Sequence, residues 1–150
     1  MKFPVYSMGY DFAIITSVKN DGTEYNILGL LRSLEMLDIN IPVYIACFNH
    51  PPKFDLISEL EVCGDLICNF DIDDSDLQSA TLDYAGKIAS KKYKKILYVN
   101  HNLRVYKIPD VPDGISIASV GDGIDYCTSD DLKRYMKCTI VPDLLEKCNL

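Results

Sequence analysis

Short apolar runs alternate along this chain with longer stretches in which apolar residues recur at helical spacing. Residues 12–16 and 41–48 are almost continuously apolar, which is typical of strands buried on both faces. Between them, Ile27, Leu30 and Leu34 recur at the spacing of one helix face. This alternation is the signature of βαβ units. We therefore predict an α/β fold with a mostly parallel sheet flanked by helices, in a single domain over residues 1–150.

The same patterns predict the individual elements. Strands are expected at 12–16, 41–48, 66–70, 95–99, 103–108 and 115–120, and helices at 24–37, 54–62, 77–92, 130–137 and 142–148. Thr23 is a candidate N-cap for the first helix. The acidic segment 71–76 is predicted to be a solvated loop that caps the third helix, because the helix dipole favours Asp there. The Gly-rich segment 119–125 lacks the Lys-Ser/Thr ending of a phosphate loop and is predicted to be a turn.

Composition and charge exclude some classes of partner. The apolar content of 48% and charged content of 25% are those of an ordinary soluble globular protein. No run approaches the roughly 20 apolar residues that span a bilayer, and the N-terminus lacks an apolar signal region. The net charge of −7 disfavours binding to a phosphate backbone. We therefore expect a cytoplasmic protein with no membrane span and no nucleic-acid partner.

The nucleophilic and metal-ligating residues form no recognisable catalytic pattern. The six cysteines show no C-x-x-C pair, and Cys47 and Cys68 lie inside apolar runs, so reduced structural thiols are expected. Only two histidines are present, so a histidine-ligated zinc centre is not expected. The hydroxyl residues Ser17, Thr23 and Ser119 have no histidine base at a recognisable spacing.

Three segments resemble one enzyme family. They are residues 12–34, residues 41–47, and residues 91–105, which include Tyr98-Val99-Asn100-His101-Asn102. Together they are similar to the opening strand, nucleotide loop, first helix and metal corner of GT-A glycosyltransferases. Within that class the chain looks most like family GT8, the glycogenin and galactinol-synthase type. The resemblance implies a Rossmann-like GT-A domain that would take a UDP-sugar with Mn²⁺ or Mg²⁺ if it were active.

The resemblance also implies a nucleotide site, and the chain departs from the family there. Thr16, Ser17 and Asp21 match the segment that holds the nucleotide. The family's corner carries Asp-x-Asp, whose carboxylates bind the cation that neutralises the diphosphate. Here Asn100 and Asn102 occupy those positions. They would lie near the diphosphate but bring no negative charge, so the metal site is expected to be weakened or absent.

Other candidates for the site are weaker. His101 could contact a phosphate, and Lys87 is the nearest substitute for a helix lysine that reaches the sugar in the family. By alignment with the family, that lysine would fall near Tyr84 of this chain. Asp71 and Asp73 have an Asp-x-Asp spacing and are the only replacement candidates for a cation, although a solvated loop is the simpler reading.

The two functional readings differ in class. The family's late metal-ligand segment is not evident here, so the acceptor half is expected to be reduced. We expect a catalytically inactive, degenerate glycosyltransferase-like protein that acts as a binding or regulatory module. The alternative is an active transferase of a hexose with an atypical or absent metal site. Apolar area left uncovered predicts a homodimer or a protein partner, and a shortened scaffold would suit a viral or parasite protein.

Overall fold

The computed structural model describes residues 12–18, 24–37, 41–49, 51–73, 75–121 and 124–126. The strands are β1 (Phe12–Val18), β2 (Val43–Phe48), β3 (Asp65–Asn69), β4 (Lys95–Tyr98), β5 (Leu103–Val105), β6 (Gly114–Ile117) and β7 (Ile124–Tyr126). The helices are a 3₁₀ helix (Glu24–Asn26), α1 (Ile27–Met36), α2 (Phe54–Cys63) and α3 (Leu77–Ser90). The predicted helices at 130–137 and 142–148, and the Thr23 cap, lie outside the described residues.

Five strands form one parallel sheet, which confirms the predicted α/β class. Their order is β3-β2-β1-β4-β6, and every neighbouring pair is parallel. From β1 the chain builds β2 and β3 on one side, and then returns through α3 to add β4 on the other side. The direction of winding therefore reverses between β1 and β4, as in Rossmann-like domains.

The sheet is buried on both faces. All seven residues of β1 are buried. Its side chains alternate between two apolar clusters, one including Ile14 with residues of α1 and α2, the other including Ile15 with residues of α3. The central position of β1 explains its continuous apolar run, because a strand covered by helices on both sides has no face toward water.

Polar contacts fasten the helices to each other on the face that carries α1 and α2. Arg32 of α1 is buried and pairs with Glu59 of α2 at 2.6 Å and with Glu35 at 3.0 Å. Glu24 is fully buried, and its carboxylate lies 3.0 Å from Nζ of Lys53 at the start of α2. These pairs neutralise charges that would be costly to bury alone.

A small second sheet departs from the prediction. The segment 119–125 was predicted to be a turn. Residues 122 and 123 lie outside the described residues, and reciprocal backbone hydrogen bonds of 2.8 and 2.9 Å join Gly121 and Ile124 on either side of them. Ile124 also begins β7, which pairs antiparallel with β5. The turn prediction was therefore incomplete, since pairing with a distant strand leaves no local signal in so short a segment. Among the described residues no helix is long and apolar enough to cross a membrane.

Candidate functional site

The carboxyl ends of β1 and β4 meet at the reversal of the sheet. Ile15 is the register partner of Tyr98, and the Val99 amide donates to the Ile15 carbonyl at 3.0 Å. In open α/β sheets, ligands bind in the crevice outside the carboxyl ends of the strands at such a reversal. The residues that follow Ile15 and Tyr98 are therefore the first place to look for a site.

Thr16 and Ser17, which the resemblance assigns to a nucleotide site, lie at this edge, and both are fully buried. Alternation along β1 directs them to opposite faces, with Ser17 on the face of α3. Among the described residues, the Thr16 hydroxyl has no hydrogen-bond partner. The Ser17 hydroxyl interacts with the hydroxyl of Tyr98. A buried hydroxyl without a partner costs free energy, so the Thr16 position is suited to a buried water that supplies the missing bond.

Tyr98 brings a phenol to the same edge. Its side chain is 2% exposed, and burial raises its pKa. Ser17 and Asn100 oppose that rise by interacting with the hydroxyl, while the charge of Asp76 adds to it. The Tyr98 hydroxyl is thus a neutral group surrounded by polar side chains from β1, the corner after β4, and the start of α3.

The corner after β4 is held by asparagine side chains. Oδ1 of Asn100 accepts a hydrogen bond from the backbone amide of Asn102 at 2.9 Å. Oδ1 of Asn102 accepts from Nδ2 of Asn26 at 2.9 Å. Asn26 ends the 3₁₀ helix and immediately precedes α1. The two oxygens that would face a cation therefore already accept hydrogen bonds within the protein.

We call Ser17, Asn26, Tyr98, Asn100 and Asn102 the switch-point cluster. All five side chains are neutral, and all carry groups that donate or accept hydrogen bonds. Such groups match the hydroxyls of a sugar or the polar edge of a base. The cluster contributes no charge that could balance a diphosphate or attract a divalent cation.

The sequence did not mark Asn26 and Tyr98 as candidate site residues. Its patterns predicted Asn26 to lie inside the first helix and Tyr98 within an apolar strand. A tyrosine at the last position of a central strand is a usable signal, because its polar end falls at the carboxyl edge. Asn26 offers no comparable signal, since its importance depends on the distant Asn102.

Three further predicted residues are not part of the cluster as defined. His101 lies in the same corner, between Asn100 and Asn102, and is buried. Lys87 is exposed near the end of α3, about 16 Å along the helix axis from its N-cap at 1.5 Å per residue. Because α3 begins at the carboxyl edge and runs away from it, Lys87 lies toward the opposite edge. Asp21 lies outside the described residues.

The acidic loop behaves as a helix cap. The carboxylate of Asp76 accepts from the Ser79 amide at 3.2 Å and from its hydroxyl at 2.8 Å. These hydrogen bonds lower the pKa of Asp76. Asp71 and Asp73 are exposed, and Asp73 accepts from the Ser75 amide at 3.0 Å. In the part of the chain that the structure describes, no group of three His, Cys, Asp or Glu side chains is placed to hold a metal.

Sequence comparison adds no family assignment. The chain matches no protein-family model, and no curated protein is significantly similar to it in sequence. The fold and the switch-point cluster are therefore the evidence on which a functional argument rests.

Proposed function

We propose that this chain is a degenerate glycosyltransferase-like protein that acts as a metal-independent binding module. Its ligand is the nucleoside or sugar portion of a nucleotide-sugar, held at the switch-point cluster without transfer of the sugar. The observation that carries the proposal is the pair of hydrogen bonds at the corner, in which Asn100 and Asn102 accept from protein donors.

The chemistry of the corner argues against catalysis. Sugar transfer from a nucleoside diphosphate leaves negative charge on the leaving phosphate, and a divalent cation usually stabilises it. Mg²⁺ and Mn²⁺ favour carboxylate and other oxygen ligands. Asn100 and Asn102 each already accept one hydrogen bond within the protein, and as neutral amides they would bring no negative charge to a cation. Binding of a neutral moiety needs no such charge.

Calorimetric titration tests the proposal directly. The metal-free chain is titrated with UDP and with uridine, first in chelator and then with Mn²⁺. We expect heats of binding for both compounds that are unchanged by Mn²⁺. Absence of binding by both would contradict a nucleoside site, and binding only with Mn²⁺ would contradict a metal-independent one. Release of UDP from a UDP-hexose by the chain would favour the active transferase instead.

A matched pair of variants locates the binding. Asn102→Ala removes the acceptor for Asn26 from the cluster and should weaken uridine binding at least about tenfold, a loss of about 1.4 kcal/mol. Asn69→Ala makes the same change at the end of β3, where the Asn69 side chain accepts an exposed hydrogen bond from the backbone amide of Asp71 at 3.2 Å. The second variant should bind as the unchanged protein does. Equal effects of the two substitutions would place the ligand elsewhere.

The proposal extends to self-association through the β6 side of the sheet. β6 is the last strand on that side of the described sheet. Three apolar side chains on or just after it are exposed: Ile115, Ile117 and Val120. A second copy of this chain is the partner that fits the β6 edge, because an edge strand can pair with the same strand of a symmetry-related copy. Ile117→Lys should then convert a dimer to a monomer in light scattering, and a monomeric unchanged chain at high concentration would contradict this part.

A further inference from the structure

Two cysteines that the candidate site does not use lie side by side on neighbouring strands. Cys47 of β2 is the register partner of Cys68 of β3 in the parallel sheet. Both are free thiols in the structure, Cys47 buried and Cys68 exposed. The sequence places them apart and suggested only two unrelated structural thiols. Their pairing depends on the register of the sheet.

We propose that Cys47 and Cys68 form a dithiol modification site, which a hydroperoxide converts into a disulfide between β2 and β3. The cross-link joins the edge strand of the sheet to its neighbour near their carboxyl ends. This inference is independent of the proposed ligand site, since neither cysteine belongs to the switch-point cluster.

The geometry of the sheet permits the bond. Neighbouring strands lie about 4.8 Å apart, and a disulfide requires Cα atoms separated by about 4.4 to 6.8 Å. Register partners on parallel strands direct their side chains to the same face. Val43 and Ile45 of β2 share that face with Cys47, and they pack in the cluster covered by α1 and α2. Both sulfurs therefore stand on one side of the sheet without any change of backbone register.

The two thiols also interact through charge and a hydrogen bond. Burial raises the pKa of Cys47 to about 12, and the charge of Cys68 and a hydrogen bond with its thiol add to the rise. A hydrogen bond between the side chains requires the sulfurs to be neighbours. Cys47 alone would be an inert core thiol. Its exposed neighbour is what gives an oxidant access to the pair.

The reaction is completed in two steps. Hydrogen peroxide oxidises the exposed Cys68 thiol to a sulfenic acid and is reduced to water. The Cys47 sulfur then attacks the Cys68 sulfur, the S–S bond forms, and the hydroxyl leaves with the Cys47 proton as a second water. Two electrons pass from the two sulfurs to one peroxide. Thiol reductants return both residues to the free state.

Peptide mapping of the unchanged chain tests the proposal. The reduced protein is treated with equimolar hydrogen peroxide, alkylated, and digested with trypsin and an Asp-specific protease without reduction. Cleavage at Asp38, Lys53, Asp65 and Asp71 isolates Cys47 in peptide 38–53 and Cys68 in peptide 65–70. We expect these two peptides to appear linked, lighter by two hydrogens than their sum, with equal loss of both alkylated thiols. Recovery of Cys68 as a sulfinic acid, or its linkage to another cysteine, would overturn the proposal.

Two variants complete the test. Cys47→Ala leaves Cys68 without a partner, so oxidation should proceed past the sulfenic acid and yield no linked 65–70 peptide. Cys63→Ser removes the cysteine nearest to Cys68 in the sequence and should leave the yield of the cross-link unchanged. Loss of the cross-link in Cys63→Ser, with folding verified by circular dichroism, would also overturn the proposal.

Discussion

Asn26 donates a 2.9 Å hydrogen bond from Nδ2 to Oδ1 of Asn102, joining the start of α1 to the corner after β4. The acceptor is an oxygen, and a carboxylate would accept the same bond more strongly. The Asn100 oxygen likewise accepts, from the Asn102 amide. Aspartate at either position would therefore keep the geometry of the corner while adding a negative charge.

The first prediction follows from that geometry. The double variant Asn100→Asp/Asn102→Asp should fold as the unchanged chain does and should bind Mn²⁺ at least about tenfold more tightly, because two anionic oxygens replace two neutral ones. Calorimetric titration with Mn²⁺ measures the change.

The control for this variant is Gln78→Glu, which makes the same amide-to-carboxylate change on an exposed position of α3. It should leave Mn²⁺ affinity unchanged. If the corner variant binds no more Mn²⁺ than this control, the corner does not face a cation site. The resemblance to an Asp-x-Asp corner would then imply nothing about metal binding.

A second prediction concerns Ser33, whose hydroxyl joins α1 to β5. Its Oγ donates to the Leu30 carbonyl at 2.6 Å and accepts from the Val105 backbone amide at 2.9 Å. Both hydrogen bonds are buried. Ser33→Ala leaves the Val105 amide without its acceptor. We expect the free energy of unfolding to fall by about 1 to 3 kcal/mol in urea denaturation.

Ser90→Ala is the matched control for Ser33. The Ser90 hydroxyl also donates to a helix carbonyl, that of Gly86 at 2.6 Å, but Ser90 is exposed at the end of α3. Its loss should change stability by less than about 0.5 kcal/mol. Equal effects of the two substitutions would show that Ser33 acts only as a helix residue and does not hold β5.

Elements with a strong local pattern could be predicted from the sequence. The continuous apolar run of β1 and the helical spacing in α1 each report burial directly, so the class of fold and most elements were predicted correctly. β7 was not, because a three-residue strand is defined by its partner β5 and has no period of its own. The same limit applies to the candidate site. Thr16, Ser17, Asn100 and Asn102 were proposed as site residues from a resemblance to a family pattern and stay a prediction, whereas the contact of Asn26 with Asn102 depends on the fold and has no signal in the sequence.

A third prediction compares two glycines at close approaches. A Cβ on Gly64, at the end of α2, would lie 2.6 Å from the backbone oxygen of Val43. Backbone in the central sheet cannot move away, so Gly64→Ala should destabilise the protein by about 1 to 3 kcal/mol. A Cβ on Gly86 would lie 2.9 Å from Cδ1 of Ile115, the end of a partly exposed side chain.

Gly86→Ala should therefore be tolerated. Ile115 can turn away, and alanine in a helix interior gains up to about 1 kcal/mol over glycine. Thermal denaturation should place the melting temperature of Gly86→Ala at or slightly above that of the unchanged chain, and that of Gly64→Ala clearly below. The opposite order would show that α3 is pressed against β6 more firmly than α2 is held against β2.

The last prediction concerns stability at alkaline pH under reducing conditions. The pKa of Cys47 is raised from 9.0 to about 12 in the folded chain. Below pH 9 the thiol is mostly protonated in the folded and the unfolded chain, so it adds little to the pH dependence of stability. Above that pH the unfolded chain loses the proton first, so it binds fewer protons than the folded chain and unfolding becomes easier as pH rises. The contribution is at most about 1.4 kcal/mol per pH unit, and it ends near pH 12.

Comparison of variants isolates this effect from other groups. Cys47→Ala lowers stability at neutral pH by removing a buried side chain, but its free energy of unfolding should fall less steeply between pH 9 and 10 than that of the unchanged chain. Tyr98→Phe removes a group whose raised pKa acts only above its ordinary value of 10.0. It should therefore leave the slope between pH 9 and 10 intact and reduce it only at higher pH. Parallel slopes for Cys47→Ala and the unchanged chain would mean that the Cys47 thiol ionises as readily in the folded protein as in the unfolded one.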